Sequence, residues 1–92
     1  MVFRKKPDVI TRREGNKTLV FHQEIRRLFI LNPTSTFIWE SCTGERAHEE
    51  IGQLLAEHFE LPEEYADPSR LASVVADHLE LLHQARLLEA AV

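Results

Sequence analysis

The segment RRLFILNPTSTFIWE, residues 26–40, decides the fold because a strand, a stop signal and a helix follow one another within it. Four apolar residues in a row, Leu28–Leu31, predict a strand that is apolar on both faces, since alternate side chains of a strand point to opposite sides. Asn32 is a favourable helix N-cap, and Pro33 fits the first helical position, where its missing N–H costs nothing. We expect this helix to be short, running to about Ser41, because CTGE breaks it.

Two more β-prone runs precede this strand, DVIT at residues 8–11 and KTLVFH at residues 17–22. Between them, Gly15-Asn16 provides the residue types that a hairpin turn requires. A looser turn, QEIR, then leads into the strand at residues 27–31. The three runs predict an antiparallel meander, in which the third predicted strand has only one neighbour in the sheet.

Two longer helices are predicted after the first. Apolar residues recur at helical spacing between Ala47 and Phe59, and the Leu-Pro pair that follows ends this helix. Asp67 is a favourable N-cap for a third helix, which begins with a proline and continues to about Gln84. The final segment, RLLEAAV, could add a short strand.

The predicted fold class is α+β, in a winged helix-turn-helix-like arrangement. A three-stranded antiparallel sheet over about residues 8–31 is followed by three helices over about residues 33–84. We expect residues 1–92 to form one domain, since two hydrophobic cores would not fit in a chain of this length.

The apolar side of the third predicted helix is wider than a surface helix needs. Its apolar residues cover about 160°, whereas a stripe of a little over ~100° is enough to face a core. We therefore expect one flank of this helix to pack on the core of the protein while the other flank faces something else. A tighter wrapping of the helix by the rest of a small fold is the alternative.

The composition is that of an ordinary globular protein, with 43% hydrophobic and 28% charged residues. No apolar run approaches the ~20 residues of a membrane span, and no apolar stretch of secretory length follows the basic N-terminus. The single cysteine, Cys42, excludes an internal disulfide and fits a reducing cytosol. These features predict a cytoplasmic protein that does not enter a membrane.

The charge of the chain is unevenly distributed. Residues 1–46 hold nine Lys or Arg against five acidic side chains, whereas residues 47–92 hold two against ten. One interpretation is two differently charged solvated faces, and the other is that each half prefers a partner of opposite sign. On the second interpretation, Arg26 and Arg27 should steer a partner with some acidic residues.

The sequence contains no pattern typical of an enzyme or a metal site. Its five histidines form no HxH or HExxH motif, and its one cysteine has no CxxC companion. There is no GxSxG, no P-loop and no glycine-rich phosphate-binding loop. We therefore predict no catalytic residue, no metal ligand and no cofactor.

Three helices with a small sheet are also typical of a winged-helix DNA-binding regulator, which is one alternative function. The candidate recognition helix, residues 68–84, turns Asp77 and Glu80 outward and has Arg70 as its only Lys or Arg. Affinity for nucleic acid depends largely on neutralising phosphates, so this face would repel DNA. The sequence therefore favours a protein that does not bind nucleic acid.

The edge of the third predicted strand favours a binding function. Proteins usually protect sheet edges with charge, proline or a bulge, and Leu28–Leu31 offer none of these. A peptide added there as a fourth strand would form main-chain hydrogen bonds, with pockets for alternate side chains giving specificity. Two alternatives remain: a homodimer of a self-associating interaction domain through the same edge, or a strand covered by the first helix and the C-terminal tail.

The segment LNPTSTFIWESCTGERAHEEI, residues 31–51, resembles the characteristic segment of PqqD-like proteins, the small peptide chaperones of pyrroloquinoline quinone biosynthesis. The matching features are its initial Leu-Asn, a helix ending in Ile-Trp-Glu at residues 38–40, and Gly-Glu-Arg at residues 44–46. The similarity extends more loosely over residues 17–89. The wider class is the RiPP recognition element, which serves ribosomally made, post-translationally modified peptides.

This resemblance implies a βββααα fold that binds the leader peptide of a precursor as an extra strand, on strand three and against helix three. It implies that a separate modifying enzyme, such as a radical SAM protein, does the chemistry. We therefore expect a non-catalytic adaptor that presents the precursor to this enzyme. The peptide-binding residues that the resemblance implies are Arg27, Leu28, Phe29, Ile30 and Leu31 from the strand, and Leu71, Val74, Val75, His78 and Leu82 from the helix.

Overall fold

The chain has the predicted α+β fold, as described by a computed structural model of residues 2–91. In chain order the elements are β1 (Val2–Lys5), β2 (Val9–Glu14), β3 (Lys17–His22), β4 (Arg27–Leu31), α1 (Pro33–Glu40), β5 (Thr43–Ala47), α2 (His48–His58), a 3₁₀ turn (Glu63–Tyr65), α3 (Pro68–Gln84) and β6 (Leu88–Ala90). Within residues 2–91, none of the helices has the length and apolar character needed to cross a membrane.

The predicted meander is confirmed as a three-stranded antiparallel sheet in the order β2-β3-β4. Gly15 and Asn16 form the turn between β2 and β3, and Gly15 has φ +65°, which a residue without a Cβ adopts readily. The third predicted strand is β4, whose Phe29 lies opposite Val20 of β3. It forms one edge of this sheet.

A second three-stranded antiparallel sheet, in the order β5-β1-β6, was not predicted beyond the tail strand β6. Strand β1 is central in this sheet and pairs with β5 and with β6. Its Phe3 is buried, and the Nε of Arg4 lies 2.6 Å from a carboxylate oxygen of Glu89 in β6. The strands come from distant parts of the chain, so neither β1 nor β5 carries a local turn signal.

The three helices begin and end within one residue of their predicted bounds. The Asn32 side chain accepts a hydrogen bond of 2.8 Å from the backbone N–H of Ser35, and the Asp67 side chain accepts one of 3.0 Å from Ser69. Both side chains thereby pair an N–H group that the first helical turn leaves unsatisfied. Helix α2 begins after Ala47 without a side-chain cap.

The hydrophobic core lies where the helices meet both sheets. Val20 from the first sheet, Trp39 from α1, Ile51 from α2 and Leu79 from α3 are almost completely buried there. The second sheet contributes Phe3 and Leu88 to the same cluster. Helix α3 packs mainly on α2, with further contacts to α1 and β6, and it shares this core with the inner face of the first sheet.

Candidate functional site

The β2-β3-β4 sheet has a buried inner face and an apolar outer face. On β4, Leu31 is buried and Phe29 packs against the core, whereas Leu28 and Ile30 are 58% and 64% exposed. The prediction that this strand is apolar on both faces is confirmed. The outer face also exposes Ile10 of β2, which is 51% accessible.

Strand β4 leaves one of its two edges open. It pairs with β3 from Arg27 to Leu31, and no strand within residues 2–91 pairs with its other edge. The expectation of a single neighbour is therefore confirmed. The alternative was that the first helix and the C-terminal tail together cover this strand. The part of it that concerns the tail is wrong, because β6 pairs with β1 in the other sheet.

Helix α3 has a buried side and an accessible apolar flank, as its wide apolar arc predicts. Three of its predicted site residues, Leu71, Val75 and Leu82, are buried in the core. In this structure all three belong to the packed interior. The other two, Val74 and His78, lie on the accessible flank.

Leu81 belongs to this accessible flank and is missing from the predicted site. It lies seven residues after Val74, which places both on the same side of a helix, and its side chain is 64% exposed. The spacing of seven residues between two apolar side chains, Val74 and Leu81, is the sequence signal that could have identified it. We call Val74, His78 and Leu81 the free flank of α3.

His78 brings a polar group to the free flank. The Nε2 atom of its ring is buried and has no hydrogen-bond partner within the described residues 2–91. Desolvation lowers the pKa of His78 below its usual value, because burial disfavours the charged imidazolium. Burial therefore favours the neutral form of the ring, and its Nε2 atom is left unpaired within these residues.

Two exposed arginines adjoin the N-terminal end of β4. Arg26 has φ +56° in the turn before the strand, and the guanidinium carbon of Arg27 lies 5.4 Å from the centre of the Phe29 ring. Neither forms a salt bridge with another residue in the described range 2–91. Their positive charge is thus available next to the open edge.

Comparison with known protein families gives an independent result. Residues 17–88, more than three quarters of the chain, match the sequence profile of the family described as coenzyme PQQ synthesis protein D (PqqD). The chain belongs to the PqqD family. This confirms the resemblance inferred from residues 31–51. A comparison with curated proteins finds no significant match.

Two solved structures share the fold of this PqqD-family chain. The structure of TbiB1 in complex with the TbiA(beta) leader peptide has a TM-score of 0.78 and 19% sequence identity, and the match covers 94% of each chain. A lasso peptide synthetase B1 complexed with the leader peptide has a TM-score of 0.78 and 13% identity, over 97% of this chain and 99% of that one. At these identities the likeness concerns the fold.

The single thiol of this PqqD-family chain lies in the core. Cys42 is buried, and its thiol donates a hydrogen bond of 3.2 Å to the backbone oxygen of Ile38. Burial raises the pKa of Cys42 to about 12, so the thiol remains protonated at neutral pH and is a poor nucleophile. Residues 2–91 contain no group of three or more His, Cys, Asp or Glu side chains that could hold a metal ion.

Proposed function

We propose that this PqqD-family chain is a non-catalytic adaptor, which binds the leader segment of a ribosomally made precursor peptide as an extra strand on the open edge of β4. The observation that supports the proposal is the edge of β4, which lacks the charge, proline or bulge that usually prevents a sheet edge from pairing with another chain. An open strand edge offers main-chain N–H and C=O groups, and Leu28 and Ile30 add exposed apolar surface.

An added strand would have two sets of side chains with different surroundings. One set would lie on the outer face of the sheet beside Leu28 and Ile30, which point that way. The other set would point inward, and we propose that the free flank of α3 receives it. Val74 and Leu81, which are both exposed, would provide apolar contacts there.

The buried predicted residues have a supporting role in this proposal. Leu31 on the strand, and Leu71, Val75 and Leu82 on the helix, are packed in the core, and we propose that they hold the strand and the helix in place behind the site. A site held in place by packed neighbours loses less conformational freedom on binding than a flexible one does, which raises affinity. Main-chain hydrogen bonds, each worth ~0.5–1.5 kcal/mol net, would then provide most of the binding free energy.

The chemistry on the precursor would be done by a separate modifying enzyme, such as a radical SAM protein. Two features support a division of labour: the only thiol is buried and protonated at neutral pH, and the exposed apolar surface lies on the strand and helix rather than in a catalytic cleft. Because precursors of this kind are made on ribosomes, we propose that the adaptor works in the cytoplasm.

The proposal is tested with a matched pair of substitutions on the outer face of the sheet. Ile30 and Ile10 are both exposed isoleucines on this face, but Ile30 lies on the open edge strand and Ile10 on the opposite strand β2. We expect Ile30→Asp to weaken binding of a leader peptide by about tenfold or more, because an uncompensated carboxylate would be desolvated beside the added strand. Ile10→Asp should change the Kd by less than about twofold.

The measurement is a fluorescence-anisotropy titration with labelled synthetic leaders, taken from short precursor genes adjacent to the gene for this protein. Circular dichroism melts of both variants check that each is folded. Equal weakening by Ile10→Asp and Ile30→Asp would contradict strand addition at β4. If no leader binds and sedimentation shows a dimer that Ile30→Asp dissociates, the edge instead pairs with a second copy of the chain.

A further inference from the structure

A second groove lies on the side of α3 that faces α2. Helix α2, helix α3 and the segment that joins them enclose a cavity of about 800 Å³. Gly52 and Ala56 line it from α2, and Ala72 and Ala76 line it from α3. At ~100° per residue, Ala72 and Ala76 lie roughly opposite Val74 and Leu81 on the helix, so this groove and the proposed leader site lie on opposite sides of α3.

Small residues keep this groove open. The position that a Cβ atom on Gly52 would occupy lies 3.7 Å from the Cα of Ala72, so the two helices approach each other closely at that point. Ala56 and Ala76, one turn further along α2 and α3, also line the groove with small side chains. Leu71 and Tyr65 contribute apolar and aromatic surface to the lining.

The rim of the groove is acidic. Glu49 lines it from the first turn of α2, with 65% of its side chain exposed, and the 3₁₀ turn in the connecting wall carries the exposed Glu63 and Glu64. Asp67 follows in the same wall and is also exposed. None of the residues that line the groove is Lys or Arg. The groove thus has an apolar, small-residue lining between negatively charged margins.

We propose that the α2–α3 groove binds a basic amphipathic helix of a partner protein. The ridge of a third helix fits between two helices whose contact surfaces are made of small residues. An apolar stripe would enter the groove, and Lys or Arg on either side of it would face Glu49 in the lining and the exposed Glu63 and Glu64, which lie between the lining residues Pro62 and Tyr65. This goes beyond leader binding and does not depend on it, since no predicted strand residue lines the groove. An adaptor with both sites could hold a peptide and its partner on opposite sides of one helix.

The test uses the whole chain, labelled with ¹⁵N, and a synthetic amphipathic helical peptide made of leucine and lysine as the probe. We expect NMR shifts at residues 48–56 and 68–76. The variant Glu49→Lys with Glu64→Lys reverses the rim charge. The matched control Glu14→Lys with Glu24→Lys makes the same change in net charge at exposed positions on β2 and in the turn before β4, neither of which lines the groove. We expect the rim variant to bind the peptide about tenfold more weakly than the unmodified chain, and the control variant to bind it less than about threefold more weakly.

A third variant separates shape from charge. Ala56→Trp fills the groove from an exposed position on α2, so it should block the peptide without unfolding the chain. No shift at residues 48–76, equal weakening by the rim variant and its control, or shifts centred on Leu28–Leu31 would each overturn the proposal. The rim variant should keep its affinity for the leader peptide. The proposal for the α2–α3 groove can therefore be rejected independently of the proposal for the β4 edge.

Discussion

The two sheets of this PqqD-family chain differ most at their edges. In the β5-β1-β6 sheet, β5 has a register shift against β1 and contains Gly44 at φ +91°, and β6 is only three residues long with Glu89 paired to Arg4. Bulges, short strands and charge are the usual means of preventing a sheet edge from pairing with another chain. Strand β4 has none of these between Leu28 and Leu31.

The opposite edge of the β2-β3-β4 sheet makes the contrast sharper. Strand β2 ends in Arg12, Arg13 and Glu14, all exposed and charged. Strand β2 also exposes one apolar side chain, Ile10, but among the four sheet edges within residues 2–91 only β4 has two large exposed apolar side chains in a run without charge. The comparison shows that both edges of the β5-β1-β6 sheet are protected, whereas the β2-β3-β4 sheet has one unprotected edge, at β4.

The largest effect should come from a matched pair of leucine substitutions, one in each sheet. Leu88 of β6 is 1% exposed, so Leu88→Ala should lower the free energy of unfolding by about 2–5 kcal/mol, because it removes buried methyl groups and leaves a cavity. Leu28→Ala on β4 should change it by no more than about 0.5 kcal/mol, since that side chain is mostly in solvent. Urea denaturation measures both values.

The same pair should behave in the opposite way in leader binding. Leu28→Ala should lower the affinity for the leader peptide, whereas Leu88→Ala should leave the affinity of the folded fraction unchanged. Similar losses of stability in both variants would mean that β4 is as much a structural strand as β6, and the contrast between the sheets would disappear.

A smaller effect is expected from charge at the N-terminal end of β4. Arg26→Glu with Arg27→Glu should slow association of an acidic leader by ~3- to 10-fold at low salt, and the difference should shrink as salt is added. Arg12→Glu with Arg13→Glu on β2 is the matched control, because it makes the same charge change at the other edge of the sheet. Stopped-flow fluorescence gives the rates. An unchanged association rate would remove the steering role of the two arginines.

The smallest effect should come from the junction between α3 and β6. Arg86 has φ +64°, and the helix ends with hydrogen bonds of 3.0 Å from Arg86 N–H to His83 O and from Leu87 N–H to Leu82 O. Glycine is favoured at this position because the left-handed conformation strains residues with a Cβ. We expect Arg86→Gly to stabilise the protein by up to about 1 kcal/mol in thermal unfolding, with no change in leader affinity. A loss of stability would show that the arginine side chain makes a contribution of its own.

Much of the fold could be predicted because its signals are local. The Gly15-Asn16 turn and the Asn32 and Asp67 caps each act within a few residues, and the structure places elements where they indicate. Strands β1 and β5 were missed because their pairing joins residues about forty positions apart, and neither segment shows a clear alternation of apolar and polar residues.

The candidate site was predicted less completely than the fold. The alternation along β4 follows directly from its sequence, because successive side chains of a strand must point to opposite faces. The apolar arc of α3 gives no such rule, since only the packing of α2 and the first sheet decides which part of the arc is buried. That is why Leu71, Val75 and Leu82 are in the core, whereas Leu81, which was not predicted, is exposed.

The most direct test of strand addition is amide hydrogen exchange along β4, measured by NMR with and without a saturating leader peptide. In an antiparallel pair, alternate residues direct their N–H groups to opposite edges, so β3 can protect only part of β4. We predict that the leader slows exchange by about tenfold or more at the remaining amides of Arg27–Leu31, and leaves β2 unchanged. A leader that binds without slowing any of these amides would contradict the account, because its main chain would then not be paired with this edge.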